Sequence, residues 1–367
     1  MARTTILPTD PAAVKVWSAI VAIDAMKKSF WAKMTGKESD AMPVVTKTDL
    51  ESGPGDEVTM TLIAKLRGQP IEGSEKGEGR EKKLSHYTFK MRIDKHRQLV
   101  NVGDVMSQKR VNFNLADQAR ARLSDYIAEI RDEQCHMAAS GGRGVSDEIE
   151  NYPVGYLGFP VAFTAPDAAH LVVGDGQTKA TLTDTLGTSI IDRCIVRASK
   201  MFAVEGTKGP RMEKISPVDG EKAFVFLTSP ESMYDLRHEV GDAGWLTLEK
   251  AKAAAVGAKS PIFQGGDAYY NGVVITESQT CVKFSDYGAG GTTGAVRNLF
   301  LGAHAVAVAD GMRGQKGGVR YELSESDMDH GEEQVIVMRM ITAFAKTVYN
   351  GFDFGVQSVD TAYTSIT

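Results

Sequence analysis

The sequence predicts an α+β fold, and three features of the chain carry this prediction. Residues 56–100 alternate apolar and polar side chains in two long runs, one helix of about 26 residues ends near Gly141, and extended apolar segments close the chain after residue 311. With 367 residues, of which 42% are hydrophobic and 24% charged, the chain is long enough to bury a large core in several domains.

Charge and cysteine content exclude several classes of function. The net charge of −5 argues against a polycation that grips nucleic acid. The three cysteines (Cys135, Cys194 and Cys281) are too widely spaced for a disulfide framework or a zinc site, which predicts a reducing compartment. No run resembles a signal peptide or a membrane span, so we expect a soluble protein made in a cytoplasm.

The N-terminal segment contains one predicted helix. Asp10 and Pro11 are typical of a helix start, an apolar stripe follows through Met34, and Gly36 is the expected C-cap. Residues 37–55 are predicted to be loop. Both an arm that packs on a neighbouring molecule and an ordinary N-terminal helix fit this pattern.

The next segment is predicted to be a long two-stranded hairpin with a charged, glycine-rich tip at residues 68–84. Val58 to Leu66 form one alternating strand, and Tyr87 to Ile93 form the other. An isolated two-stranded ribbon is only marginally stable in water, so its apolar face needs a partner. That partner lies either in the core of the same chain or in another copy of it.

The clearest helix follows the hairpin. Asn114 is the predicted N-cap, Asp117 lies in the first turn, and Gly141 ends the helix. One face is apolar, and the opposite face, which includes Arg131 and Glu133, is predicted to be solvated or to form an interface.

The rest of the chain alternates shorter elements. In order, we predict loops with short strands over 151–180, a helix from about Asp184 to Phe202, strand Ala223–Leu227, a helix from Ser229-Pro230 through Val240, an alanine-rich helix Leu246–Val256, strand Gly272–Ser278, one buried strand Leu299–Ala309, and closing segments Val319–Leu323 and Val335 to about Tyr349. Residues 335–345 also fit a helix by periodicity alone.

Two stretches imitate sites of known chemistry. The glycine-rich stretch Gly288–Gly294 follows a strand, as a dinucleotide-binding loop does, but no clear helix follows it. Glu325, Asp327, Asp329 and His330 are spaced like calcium ligands, but the required glycine is displaced and Ile336 stands where a glutamate is needed. No HExxH, GxSxG or phosphate-loop motif occurs. We therefore predict no catalytic, cofactor-binding or metal-binding residues.

Three stretches carry a resemblance that spans nearly the whole chain in order. They are Asp267–Glu277 (DAYYNGVVITE), Asn298–Asp310 (NLFLGAHAVAVAD) and Asn350–Ala362 (NGFDFGVQSVDTA). Together with the order of elements, they resemble the major capsid proteins of tailed bacteriophages, which have the Hong Kong 97-type fold. The sequence looks closest to the branch typified by the coliphage N-four coat protein.

The resemblance implies a domain organisation. It assigns residues 1–55 to an N-terminal arm, 56–100 to an extended hairpin loop, 101–184 to a peripheral domain with a spine helix, 185–310 to an axial domain, and 311–367 to closing strands of the peripheral domain.

It also implies a function and partners. The chain would self-assemble, as hexamers and pentamers, into the icosahedral head shell around double-stranded DNA, touching the DNA only weakly and without sequence preference. Scaffolding, portal and decoration proteins are candidate partners, and no membrane is involved. The shell of an encapsulin-like nanocompartment is one alternative. A cytosolic α/β enzyme with a nucleotide loop near Gly288–Gly294 is another.

The hairpin and its tip are the predicted assembly interface, because the missing layer over the apolar face would then come from a neighbouring subunit. The residues assigned to this interface are Arg67, Glu72, Glu75, Lys76, Arg80, Lys82, Lys83, Tyr87, Phe89 and Met91.

The scattered cysteines and the solvated position expected for Lys82 and Lys83 predict that no covalent bond links the subunits. Assembled particles denatured without a reductant should therefore migrate as monomers in gel electrophoresis. A ladder of multimers would contradict this prediction.

Overall fold

The computed structural model describes fourteen stretches of the chain, and three α-helices lie within them. The described residues are 29–50, 54–63, 70–73, 76–81, 84, 86–104, 106, 114–141, 163–200, 212–215, 222–239, 268–312, 321–328 and 333–365. The helices are α1 (Leu115–Ser140), α2 (Thr188–Lys200) and α3 (Pro230–Arg237).

Most described residues outside the helices form strands. These are β1 (Thr35–Gly36), β2 (Val44–Lys47), β3 (Glu57–Ile63), β4 (His86–Arg92), β5 (Asp94–Asp104), β6 (Leu171–Val173), β7 (Phe224–Thr228), β8 (Ala268–Tyr270), β9 (Val273–Glu277), β10 (Val282–Tyr287), β11 (Thr293–Leu301), β12 (Val306–Asp310), β13 (Tyr321–Met328), β14 (Glu333–Lys346), β15 (Val348–Tyr349), β16 (Phe352–Asp353) and β17 (Val356–Ala362).

A six-stranded sheet is built around the long strand β14. Its order is β1-β2-β12-β14-β13, and β5 pairs with the other edge of β14. Residues 335–345 are therefore strand, and the helical alternative for them is wrong. The expected loop over 37–55 is also wrong at β2, which pairs in parallel with β12.

A seven-stranded sheet forms the second layer of strands. Its order is β6-β17-β11-β7-β9-β8, with β10 paired to β11. Helices α2 and α3 cover one face, where Ile190, Ile191 and Leu236 are buried with Phe226 and Phe300. The predicted strands at 223–227 and 272–278 and the helix start at Ser229-Pro230 are confirmed. Ser229 caps α3 by accepting a hydrogen bond from the Ser232 amide.

The segment predicted as one buried strand, Leu299–Ala309, is two strands in different sheets. Strand β11 ends at Leu301, and β12 begins at Val306. Between them His304 adopts a left-handed conformation, with φ of 56°, which ends the extended run. The residues on both sides of this turn are buried, so the apolar pattern in the sequence continues across it. For that reason the sequence does not reveal the turn.

Helix α1 lies between the two sheets. Asn114 caps it as predicted, accepting a hydrogen bond from the Ala116 amide, and Gly141 ends it with φ of 84°. Its buried residues share one cluster with strands of both sheets. From Ile130 onward the helix is surrounded, so the expectation that Arg131 and Glu133 are solvated is wrong: both are buried.

The chain before α1 is anchored to that helix. Asp132 of α1 accepts hydrogen bonds from the Ser29 hydroxyl and from the Phe30 and Trp31 amides. Residues Trp31–Met34 form a 3₁₀ helix. Gly36 lies in β1 and not at a helix end, so its predicted role as a C-cap is wrong.

Several predictions fall on residues outside the described stretches. These are the helix start at Asp10-Pro11, the helix Leu246–Val256, the last residues of the helices predicted to end at Phe202 and Val240, the first residues of the strand Val319–Leu323, and part of the loops over 151–180.

Two glycines with nearly the same backbone conformation provide a test of the packing at the end of α1. Gly141 and Gly79 have φ of 84° and 83°. A Cβ at Gly141 would lie 2.8 Å from atoms of Pro166 and Thr164, whereas one at Gly79 would meet nothing within 4 Å.

We predict that Gly141→Ala lowers the free energy of unfolding by about 3 kcal/mol or more, because backbone strain and overpacking add. Gly79→Ala carries only the strain and should cost about 1 kcal/mol. Denaturant unfolding of both variants measures the difference. Equal losses would mean that the contacts around Gly141 contribute nothing.

Candidate assembly interface

The hairpin β3–β4 is buried at its base and exposed toward its tip. The two strands pair in register from Glu57↔Arg92 to Ile63↔His86, as the alternation predicts. Val58 and Met91 at the base are buried, whereas Leu62 and Tyr87 near the far end are half-buried. The burial of the apolar face therefore decreases along the ribbon.

The base of the hairpin packs on its own chain. Val58, Met60 and Met91 form a cluster with alanines of β12 and β14, namely Ala307, Ala309 and Ala343. Phe89 packs against the same cluster, and its ring meets Tyr349 edge-on at 6.3 Å. Small alanine side chains allow the ribbon to approach the sheet closely. Met91 is therefore covered by its own chain, and the expectation that a neighbouring subunit covers it is wrong. Phe89 is only half-buried, so its contact with a neighbouring subunit stays a prediction.

The distal end of the hairpin exposes large apolar side chains. Ile63 is 60% exposed, Leu84 52% and Ile71 43%. Leu62 and Ile63 lie on opposite faces of β3, so apolar side chains reach both faces of the ribbon there. Ile63, Ile71 and Leu84 are absent from the predicted interface, although all three lie within or next to the charged tip in the sequence.

The charged residues assigned to the tip are exposed where the structure describes them. Glu72, Lys76 and Arg80 are exposed. Arg67, Glu75, Lys82 and Lys83 lie outside the described residues. Within the described residues 76–81 the tip makes a tight turn, in which the Arg80 amide donates to the Gly77 carbonyl.

A buried ionic network joins α1 to the seven-stranded sheet. Arg297 of β11 donates to both carboxylate oxygens of Asp360 in β17, at 2.7 and 2.8 Å, and to the Ser140 carbonyl of α1 at 2.9 Å. The Tyr287 hydroxyl donates to the same carboxylate. Burial alone would lower the pKa of Arg297, but the hydrogen bonds and charge of Asp360 outweigh it and raise the pKa.

The next residue along β11 makes a second buried network on the opposite face of the sheet. Asn298 donates to the Thr361 hydroxyl and accepts from the Thr228 hydroxyl, both at 2.9 Å. Thr228 and Thr361 belong to the seven-stranded sheet, and the Ser229 amide at the start of α3 also donates to Asn298, at 3.4 Å. Asn298 and Asp360 both lie in the stretches that carry the capsid resemblance.

One cluster among the described residues has donors that a metal ion could use: Asp167, His170 and Asp353. The buried Lys346 ammonium already lies 2.8 Å from Asp353, where a cation would bind. Burial would raise the pKa of Asp167, but hydrogen bonds from His170 and from backbone amides outweigh it and lower the pKa to about 2. Because Lys346 already neutralises Asp353 and His170 binds Asp167 through Nδ1, the cluster does not fit a metal site.

The two stretches that imitate known sites have other structures. Gly288–Gly294 is the turn of the antiparallel hairpin β10–β11. A dinucleotide loop connects a strand to a helix, so the nucleotide-loop interpretation is wrong. Glu325 and Asp327 lie along β13, which is not the loop that a calcium site requires, and Glu325 pairs with Arg120. Asp329 and His330 lie outside the described residues.

Fold and surface together indicate a protein that binds another molecule through the exposed end of its hairpin. The distal end of the hairpin exposes apolar side chains together with charged residues of both signs. The two buried clusters of titratable groups described above contain ion pairs within the subunit, Arg297–Asp360 and Lys346–Asp353. Among the described residues, no helix is long and apolar enough to cross a membrane.

Comparison with known proteins identifies the family. Residues 5–365 match the model of the phage capsid protein family, and the chain belongs to that family. It is 24% identical over 372 residues to the major capsid protein of Pseudomonas phage KPP25, covering 94% of this chain and 93% of that one. The chain is a major capsid protein, as predicted.

Solved structures agree with the family. The capsid of Ralstonia phage GP4 matches the full length of both chains with a TM-score of 0.84 and 38% identity. The capsid of cyanophage Pam1 matches with a TM-score of 0.72 and 19% identity, over 93% of this chain and 94% of that one. The Hong Kong 97-type α+β fold is confirmed.

Asp310, at the end of β12, is a buried carboxylate near α1. Its Oδ2 atom has no hydrogen-bond partner, and the charge of nearby Arg131 only partly compensates for burial. Burial raises the pKa of Asp310 to about 6. The folded state thus holds this proton more tightly than the unfolded state, and the stability it contributes is lost as pH rises through about 6.

We predict that Asp310→Asn, which resembles the protonated form, raises the free energy of unfolding by up to about 3 kcal/mol at pH 7.5 and by only about 1 kcal/mol at pH 4.5. Asp327→Asn, at an exposed position in β13, is the control. Denaturant unfolding at both pH values tests this. A loss of stability at pH 7.5 would show that Asp310 stabilises the fold through its charge.

Proposed function

We propose that the chain forms the icosahedral head shell of a tailed phage around double-stranded DNA, as hexamers and pentamers, and acts without catalysis. The shell protein would be made in the host cytoplasm and end in the virion. The structure of the hairpin supports this proposal. Its base packs on the core of its own subunit, whereas its distal end exposes apolar side chains that this core does not cover.

The apolar end of the hairpin supports contact with a neighbouring copy. A two-stranded ribbon is marginal in water unless another layer covers its apolar residues. Ile63 and Leu84 expose more than half of their surface, and burying what remains exposed of one such side chain contributes about 1–2 kcal/mol. A second copy supplies this layer at every position of a closed shell. Of the predicted set, the half-buried Tyr87 and Phe89 and the exposed charged residues of the tip would face it.

Charges on the hairpin suit contact with non-identical neighbours. Lys90 and Arg92 lie 4.0 and 3.2 Å from Glu57 and Asp56, and all four side chains are exposed. Each exposed pair contributes only about 0–1 kcal/mol, so such charges can exchange partners between subunits at little cost. Weak contacts repeated over a shell give cooperative assembly.

Further partners belong to the same proposal. A net charge of −5 fits a container that touches DNA weakly. Scaffolding, portal and decoration proteins are the expected additional partners, and placement in the N-four-like branch stays a prediction. An encapsulin-like compartment is not favoured, because the relatives are phage capsids.

The tip provides the test of the hairpin's role. We predict that deleting Glu72–Lys82 leaves the subunit folded and impairs shell formation, because the described tip residues are exposed and add nothing to the core. Shortening a loop is itself cheap, about 0.6 kcal/mol for each halving. Circular dichroism measures the fold, and electron microscopy measures the shells.

A second variant replaces the same residues with an equally long Gly-Ser segment, which separates the loss of charge from the loss of length. Normal shells from both variants would show that the tip is a passive loop. Loss of the fold would show that it is part of the subunit's own structure.

A further inference from the structure

Helix α1 is attached at its two ends to different sheets. Near its start, Arg120 donates to Glu325 of β13 at 2.5 Å, and both side chains are mostly buried. At its end, the Ser140 carbonyl accepts from Arg297 of β11. The two attachment points are separated by about 30 Å of helix. The helix is therefore a rod that connects the six-stranded sheet to the seven-stranded sheet.

Besides the path through α1, the chain passes directly from a strand of one sheet to a strand of the other at two adjacent connections. Residues 302–305 connect β11 to β12, and residues 347–355 connect β14 to β17 through β15 and β16. These connections are hydrogen-bonded to each other: the Gly302 amide donates to the Gly355 carbonyl, and the Thr347 amide donates to the Ala305 carbonyl. Two short connections side by side resemble a hinge axis.

Arg297 lies away from that axis. Five residues of strand separate it from Gly302, a distance of about 16 Å. Rotation of one sheet by about 10° around the connections would move this point by about 3 Å, enough to break a hydrogen bond. Apolar packing is non-directional and tolerates small sliding, but the buried guanidinium has fixed donor directions.

The chemistry of this contact makes it specific. The Arg297 fork uses Nε and Nη2 for Asp360 and leaves Nη1 for the Ser140 carbonyl. The carbonyl end of a helix is partly negative, so a cation is favourable there. Arg297 and Asp360 are 2% and 0% exposed, and loss of the contact would leave buried polar groups without partners.

We propose that Arg297 sets the angle between the two sheets and thereby the curvature of the shell. This inference rests on the proposed function. In a closed assembly, the rotation that relates neighbouring subunits decides whether and at what size the assembly closes. Without the Arg297 contact, the two sheets of a subunit can rotate about the connections. Its contact surfaces then meet neighbouring subunits at variable angles, and shells of several sizes form.

The test compares Arg297→Lys with Asn298→Ala. Lysine keeps the charge beside Asp360 but cannot hold both carboxylate oxygens and the Ser140 carbonyl. Asn298→Ala removes a buried polar network of the same strand that has no partner in α1. Electron microscopy should show wild type and Asn298→Ala with one shell diameter, and Arg297→Lys with several diameters or open shells. A single wild-type diameter for folded Arg297→Lys would overturn the proposal.

A measurement on unassembled subunits separates this proposal from the proposed function. Spin labels at Glu322→Cys and Ser285→Cys, both exposed, report the distance between the sheets, because the native cysteines are buried. Arg297→Lys should broaden or shift that distance by several ångströms, and Asn298→Ala should not. An unchanged distance refutes the proposal, whereas failure of the wild type to form shells refutes the proposed function.

If Arg297→Lys does not fold, the proposal is tested by the structure of the assembled wild-type shell. Its structure should keep the hydrogen bond between Arg297 and the Ser140 carbonyl in every symmetry-distinct subunit. A broken contact in any of them would overturn the proposal.

Discussion

The fold depends on one constraint: α1 is buried between two sheets, so its second half has no face in water. Its polar groups are therefore satisfied only where they find partners inside the protein. Asp132 does so by capping the start of the 3₁₀ helix, and the Ser140 carbonyl does so through Arg297. His136 meets the edge of Trp31, and burial lowers its pKa to about 3, which keeps the ring neutral. The helix thus orders the segment before it and both sheets around it.

The same architecture separates folding from assembly. Alanines on β12 and β14 hold the base of the hairpin against the subunit, so the ribbon has a fixed origin and direction. Beyond that base its apolar side chains are exposed, and they contribute little to the stability of the single chain. In the proposed assembly, a subunit built this way folds before it meets a neighbour and afterwards buries the apolar side chains that the hairpin exposes. This division explains how a shell protein can be made as separate chains.

Local patterns predicted the elements well wherever one face met water. The hairpin register, the caps of α1 and the start of α3 all follow from alternation and capping residues. The predicted elements and exposures are wrong where an element is buried on all sides, because apolar and polar residues no longer alternate there with the period of a strand or helix. This is why β11 and β12 read as one strand, and why Arg131 was expected in solvent. The Arg297–Asp360 pair was invisible for another reason: 63 residues separate partners that only the sheet register brings together.

The most direct test of the account is a cryo-electron microscopy structure of shells assembled from the full chain. The account predicts that Val58 and Met91 stay on their own sheet, while Leu62, Ile63 and Leu84 are buried against the neighbouring subunit. Closed shells in which these three side chains remain in solvent, or fold back on their own chain, would contradict it.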